Sequence, residues 1–269
     1  MKTSFFIVLF FLSFSVIAQE DDKHTEASKA ADDATNPLAF VTKLQFQPNY
    51  TFKDNGGDQF VLISRIMQPS KTIGLPFIKS KDPSKIYTIY RLEAPIGSQT
   101  FPNNNGDATG LTDFVFIDVI AFKKSWGIMG IGPAIILPTA SSDALGSGKW
   151  SAGPVATILY KKKKGWTFGV LAQQFNSFAG DSDRQDVNRM LFQPIVTRIF
   201  KKGYFANFSP IMVFDWENDS YNIPIGFNVG RAFAKNLSMF IGPEYVVSGP
   251  NQGDFTIRLN INAMFAATK

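Results

Sequence analysis

The 269-residue chain is 45% hydrophobic and 14% aromatic, with 18% charged residues against the roughly 25% usual in soluble domains, and it has no cysteine. Disulfides, Cys-ligated zinc and thiol nucleophiles are therefore excluded. The formal charge of +5 falls in short lysine clusters rather than on one stripe, which argues against a nucleic-acid partner.

Residues 1–18 read as a secretory signal: a basic Met1-Lys2-Thr3 start, an apolar Ser4–Ile17 core, and Val16-Ile17-Ala18 before cleavage, with Gln19 first in the mature chain. The apolar run is too short for the about 20 residues of a spanning helix. Residues 19–38 are polar and rich in Asp and Ala, and are expected to form a disordered lead-in. His24, the chain's single histidine, lies there, so no Ser–His or His–metal site is available in residues 39–269.

From residue 39 the hydrophobic period is two. Leu44, Phe46, Pro48, Tyr50 and Phe52 alternate with Lys43, Gln45, Gln47, Asn49 and Thr51, and Phe255, Ile257, Leu259 and Ile261 alternate with Thr256, Arg258, Asn260 and Asn262. Such segments predict about twelve strands, near 41–52, 59–68, 85–95, 113–122, 126–138, 149–160, 166–178, 188–200, 204–216, 221–231, 237–247 and 254–265. Many exceed the five or six residues typical of soluble strands and approach the 9–11 of a membrane-spanning strand.

The connectors alternate in character. Residues 96–111, 139–148 and 179–187 are long or acidic, rich in Gly, Asn and Asp. Lys123-Lys124-Ser125, Lys161–Gly165, Lys201-Lys202-Gly203 and Ala234-Lys235-Asn236 are short and basic. Tight turns on one side and long loops on the other describe an all-β fold: a transmembrane antiparallel β-barrel of the bacterial outer membrane, over residues 39–269, with the lipid bilayer as its partner. Trp126 and Trp166 beside the basic turns, and Trp150 and Trp216 beside the long loops, are expected to form the two interfacial belts. Pro48, Pro133, Pro154, Pro194, Pro210, Pro224 and Pro243 fall inside strands, where bulges or breaks are expected.

The stretches "GLTDFVF" (110–116), "LPTASSDALGSGKWSAGP" (137–154), "SFAGDSDRQDVNRMLFQPIV" (177–196), "SPIMVFDWENDSYNIPIGFNVGRAF" (209–233) and "FTIRLNINAMF" (255–265) together resemble the outer-membrane family called MetA-pathway of phenol degradation. The resemblance implies a barrel that admits small hydrophobic, often aromatic solutes. Gly110-Leu111-Thr112-Asp113 stands where the family usually has Gly-Leu-Gly-Asp, and residues 69–95 are longer than its pattern.

No catalytic constellation is present, so the chain is not expected to be an enzyme, and no cofactor or metal is expected. Asp181, Asp183 and Asp186 read as a solvated acidic loop. By parity the polar residues expected to line the lumen are Arg65, Arg91, Asp118, Asn207, Asp215, Asn228, Glu244, Arg258 and Asn260, with Arg258 and Asp215 on the clearest strands. Two functions follow: a passive channel or transporter for small solutes, or a structural or interaction barrel with a filled lumen and ligand-binding outer loops.

Overall fold

A strand with one apolar and one polar face needs different surroundings on its two sides, and closing the sheet on itself supplies both. The computed structural model describes residues 26–74, 78–100 and 107–267, so the signal segment and His24 lie outside the described residues. Its strands are β1 (Val41–Phe52), β2 (Asp58–Ser70), β3 (Thr72–Ile73), β4 (Ile78–Lys79), β5 (Ile86–Gln99), β6 (Ala108–Leu111), β7 (Phe114–Lys124), β8 (Gly127–Leu137) and β9 (Lys149–Lys162). There follow β10 (Trp166–Gly180), β11 (Asn188–Ile199), β12 (Tyr204–Phe208), β13 (Met212–Asp215), β14 (Ser220–Gly226), β15 (Asn228–Ala234), β16 (Leu237–Ser248) and β17 (Phe255–Ala266). β12 with β13, and β14 with β15, each make one broken stave. β3 and β4 pair with each other, and β6 is a short addition to β5. The result is a closed antiparallel barrel of twelve staves.

Closure comes from the β1–β17 ladder, which runs from Val41 opposite Ala266 to Phe52 opposite Phe255. It leaves no unpaired barrel edge, which is the condition for a sheet surrounded by hydrocarbon. Polarity is inverted relative to a soluble barrel over part of the wall. Ile131, Ile241 and Val229 on the outer face are 56%, 51% and 61% exposed, whereas Asn260 and Asn262 on the inner face are fully buried.

The two ends differ as the connectors foretold. At the turn end, Lys164 and Gly165 both hold positive φ (68° and 75°), the two-residue turn whose twist matches the flanking strands, and Lys202 and Gly203 repeat it (59° and 76°). All four tryptophans are exposed and sit at stave ends. Arg198 joins them on the outer face, its guanidinium 5.2 Å from the Trp166 ring centre, as does Arg231, 4.7 Å from that of Tyr204. At the loop end, Asp113 accepts from the Ser147 amide (2.7 Å) and hydroxyl (2.8 Å), while Arg184 donates to the carbonyls of Asp143 (2.8 Å) and Gly146 (2.6 Å). Lys149 (3.0 Å) and Ser177 (3.0 Å) hold the Asp186 carboxyl below its usual range, so the acidic loop is tied to β9 and β10.

Prolines act unequally. Pro210 lies in the break between β12 and β13, and the β14–β16 register shifts between Ile223 and Pro224. Pro133 faces Pro154 with the β8–β9 register unbroken, and Pro194 and Pro243 likewise keep register.

Residues 26–38 are a correction. They are not a disordered lead-in: Glu26–Thr35 form helix α1, with Ser28, Ala30, Ala31 and Ala34 buried. The helix packs its alanines against Ile199, Phe205, Ala232 and Met264, inward residues near the turn end. Leu38, just beyond, is buried against Tyr87, Val119 and other inward residues of β5 and β7 to β10. The segment therefore crosses the turn-end mouth from one wall to the other. Its apolar face carries little signal in the sequence because it is built of alanine, the residue with the highest helix propensity and a side chain small enough to line so narrow a space.

Candidate functional site: the barrel lumen

On β1, β2, β5 and β17 the polar residues Lys43, Gln45, Gln47, Arg65, Arg91, Glu93, Arg258 and Asn260 share one inward parity class across the three registers. They bond to one another. Arg65 donates to Gln45 (2.9 Å) and Gln47 (2.8 Å) and pairs with Glu93 (2.9 Å). Arg91 pairs with the same carboxylate (3.0 Å) and donates to Gln173 on β10 (3.1 Å). Asn260 donates to Gln47 (3.2 Å), and Arg258 places one nitrogen 3.0 Å from both oxygens of Glu244. Asn228 donates to Asn207 (3.4 Å), which donates to Thr197 (2.8 Å).

The opposite wall is apolar. Ile117, Val119, Ala134, Ile136, Val155, Leu171, Phe175 and Ile195 form one buried cluster along β7 to β11. Between the walls lies a cavity of about 220 Å³. Among the described residues its lining carries five cations, Lys43, Arg65, Arg91, Arg189 and Arg258, and one carboxylate, Glu93.

Of the residues expected in the lumen, Arg65, Arg91, Asn207, Asn228, Glu244, Arg258 and Asn260 face inward. Asp215 also lies on the inner side, opposite Arg189 in register, but at the loop-end rim. Its carboxylate accepts from the amides of Glu217 (3.1 Å) and Asn218 (3.1 Å) and from the Asn218 side chain (2.8 Å), so it shapes its own turn. Asp118 is a correction. Its register partner is Tyr90, while Ile117 and Val119 face inward, so Asp118 lies on the outer face. There the β3–β4 hairpin covers it: Gly74 donates to Thr88 (2.7 Å), Tyr90 donates to the Gly74 carbonyl (3.3 Å), and a side chain at Gly74 would sit 3.7 Å from the Asp118 carboxylate. In "FVFIDVIAF" both faces are apolar, so the single charge falsely suggested which one was wet.

Sequence reasoning missed three elements of the lumen. Arg189 shares parity with Gln193 and Thr197, a signal hidden by Leu191 and Ile195 on the same face. Glu93 was not singled out, although Arg65 and Arg91 flank it. Lys43 is almost fully buried and donates to the carbonyls of Ala34 (3.0 Å) and Asn36 (3.3 Å), capping the C-terminal end of α1, where a cation is favoured. Tyr87 donates to the Leu38 carbonyl (2.7 Å), and Lys161 pairs with Asp32. Gly130 allows this seating, since a side chain there would lie 3.0 Å from Leu38 and 2.6 Å from Val119. Lys43→Met should remove charged hydrogen bonds worth about 1.5–3 kcal/mol each and expose residues 26–38 to protease faster than in the parent, while the barrel stays folded. Equal cleavage rates would show that Lys43 does not hold the helix.

No family model matches the sequence, and no curated protein does. Solved structures do match. The COG4313 outer membrane channel from Pseudomonas putida F1 superposes with a TM-score of 0.68 at 12% identity, covering 91% of this chain and 100% of that one. The NanC porin gives 0.52 at 12% identity, over 82% and 98%. The outer membrane phospholipase A from Escherichia coli gives 0.46 at 8% identity, over 88% and 98%. The fold of this chain is that of outer-membrane β-barrels.

Proposed function

We propose that the protein is an outer-membrane channel for small solutes with an apolar body, exported by its signal segment, with the lysine turns in the periplasm and the long loops outside. The observation that carries this reading is the cavity between an arginine-lined wall and an apolar wall. A lumen serving only to hold the barrel together would be filled by its side chains and leave no cavity between the walls. The MetA-pathway resemblance implies the same solute class, and the likeness to a channel and a porin supports a conducting barrel. No histidine lies in residues 39–269, so an enzymatic Ser–His pair has no source there.

A filled structural barrel is the second reading, favoured by α1 across the turn end and by the closed Arg258–Glu244 pair. Proteoliposomes separate the two. Vesicles carrying the protein should swell faster than empty ones in isosmotic sodium benzoate; swelling no faster than empty vesicles would reject the channel. Arg258→Ala isolates Glu244, and with side chains 12% and 15% exposed the pair is buried enough that its loss should cost about 3 kcal/mol and lower the unfolding temperature. An unchanged transition would mean that the pair is solvated.

A further inference from the structure

The lumen contains a cation that no side chain or carbonyl of the described residues bonds directly. Arg65 and Arg91 share Glu93, Arg258 holds Glu244, and Lys43 holds the helix carbonyls. The Arg189 side chain makes no hydrogen bond or ion pair with any described residue, and its Nε is shielded from solvent. Asp215 and Asp113 are the carboxylates whose charge reaches it. Both are engaged elsewhere: Asp215 in its own turn, Asp113 with the amide and hydroxyl of Ser147. On the cavity side Arg189 has apolar neighbours, with Asp215 opposite it on β13. Phe175 faces it across the β10–β11 ladder, Leu191 is the next inward residue on β11, and Ile136 lines the same cavity.

A charged guanidinium among apolar side chains is costly unless something bonds to it. Its fork of donors matches a carboxylate in shape and charge. We propose that Arg189, Phe175, Leu191 and Ile136 form a binding station in the lumen for a small organic carboxylate with an apolar body. The carboxylate accepts from the guanidinium while the body lies against Phe175 and its neighbours. The cavity of about 220 Å³ is below the ~300–1,000 Å³ of drug-sized sites, which limits the occupant to a small acid. This inference names the solute class of the channel reading and rests on that reading for its physiological role.

Calorimetry on the detergent-purified full chain tests the station without requiring passage. Benzoate should bind, with benzyl alcohol and acetate each much weaker, because one lacks the charge and the other the apolar body. Arg189→Gln should weaken benzoate by about tenfold, the scale of a lost charged hydrogen bond. Arg189→Lys keeps the charge and loses the fork, so its affinity should fall between the two; it also carries the test if the glutamine variant does not fold. Equal benzoate affinity in parent and variants, no benzoate binding in the parent, or benzyl alcohol binding as tightly as benzoate would each overturn the proposal. Arg189-dependent binding in a protein that does not swell vesicles would remove the channel reading alone. Swelling without such binding would remove the station alone.

Discussion

Ala31→Glu should drive helix α1 out of the barrel mouth and raise ion conductance severalfold. Ala31 is fully buried against Ile199, Phe205, Ala232 and Met264, so a carboxylate there enters an apolar site with no partner. The penalty is several kcal/mol per buried ion. Against it stand the Lys43 caps and the Tyr87–Leu38 bond, each worth about 0.5–3 kcal/mol net, and the half-exposed Asp32–Lys161 pair, worth about 0–1 kcal/mol. The barrel keeps its β1–β17 closure without the helix, so the folded species should persist. Protease cleavage within 26–38 should rise together with current. A displaced helix with unchanged current would show that α1 does not limit passage.

Ile241→Arg should prevent assembly or destabilise the barrel by about 2–4 kcal/mol, the cost of an arginine on a lipid-facing strand near the bilayer midplane. Ile241 lies mid-strand on β16, opposite Leu259, and is 51% exposed on the outer face. Heat-modifiable migration and urea unfolding in detergent measure the effect. A variant that folds with the parent's stability would place this face in water rather than hydrocarbon.

What the sequence disclosed follows from where its two faces differ. β1 over residues 43–52 and β17 over 255–262 alternate apolar and polar residues, and β16 keeps the same period around Glu244, so the lumen residues Arg258, Asn260 and Glu244 are legible. β7 and β11 bury apolar residues on the inner face and present apolar residues outward as well. Period two survives there but does not say which face is wet, so the sequence misassigns Asp118 and hides Arg189. The breaks at Ser209–Ile211 and Phe227 were foreshadowed by Pro210 and Pro224, whereas Pro133, Pro154, Pro194 and Pro243 left their registers intact. The β3–β4 hairpin is a pair of two-residue strands, too short for any period to register. Helix α1 was missed because its buried face is alanine, which composition alone reads as neutral.

The central claim is that a passage lined mainly by cations runs through the barrel, and the reversal potential of single purified barrels in a salt gradient tests it most directly. Lys43, Arg65, Arg91, Arg189 and Arg258 against Glu93 and the Arg258-bound Glu244 leave the lumen positive, so the parent protein should conduct steadily and prefer anions. Arg189→Gln and Arg65→Gln should each move the reversal potential toward cation permeability. A parent barrel with no steady current, or one that prefers cations, would contradict the account.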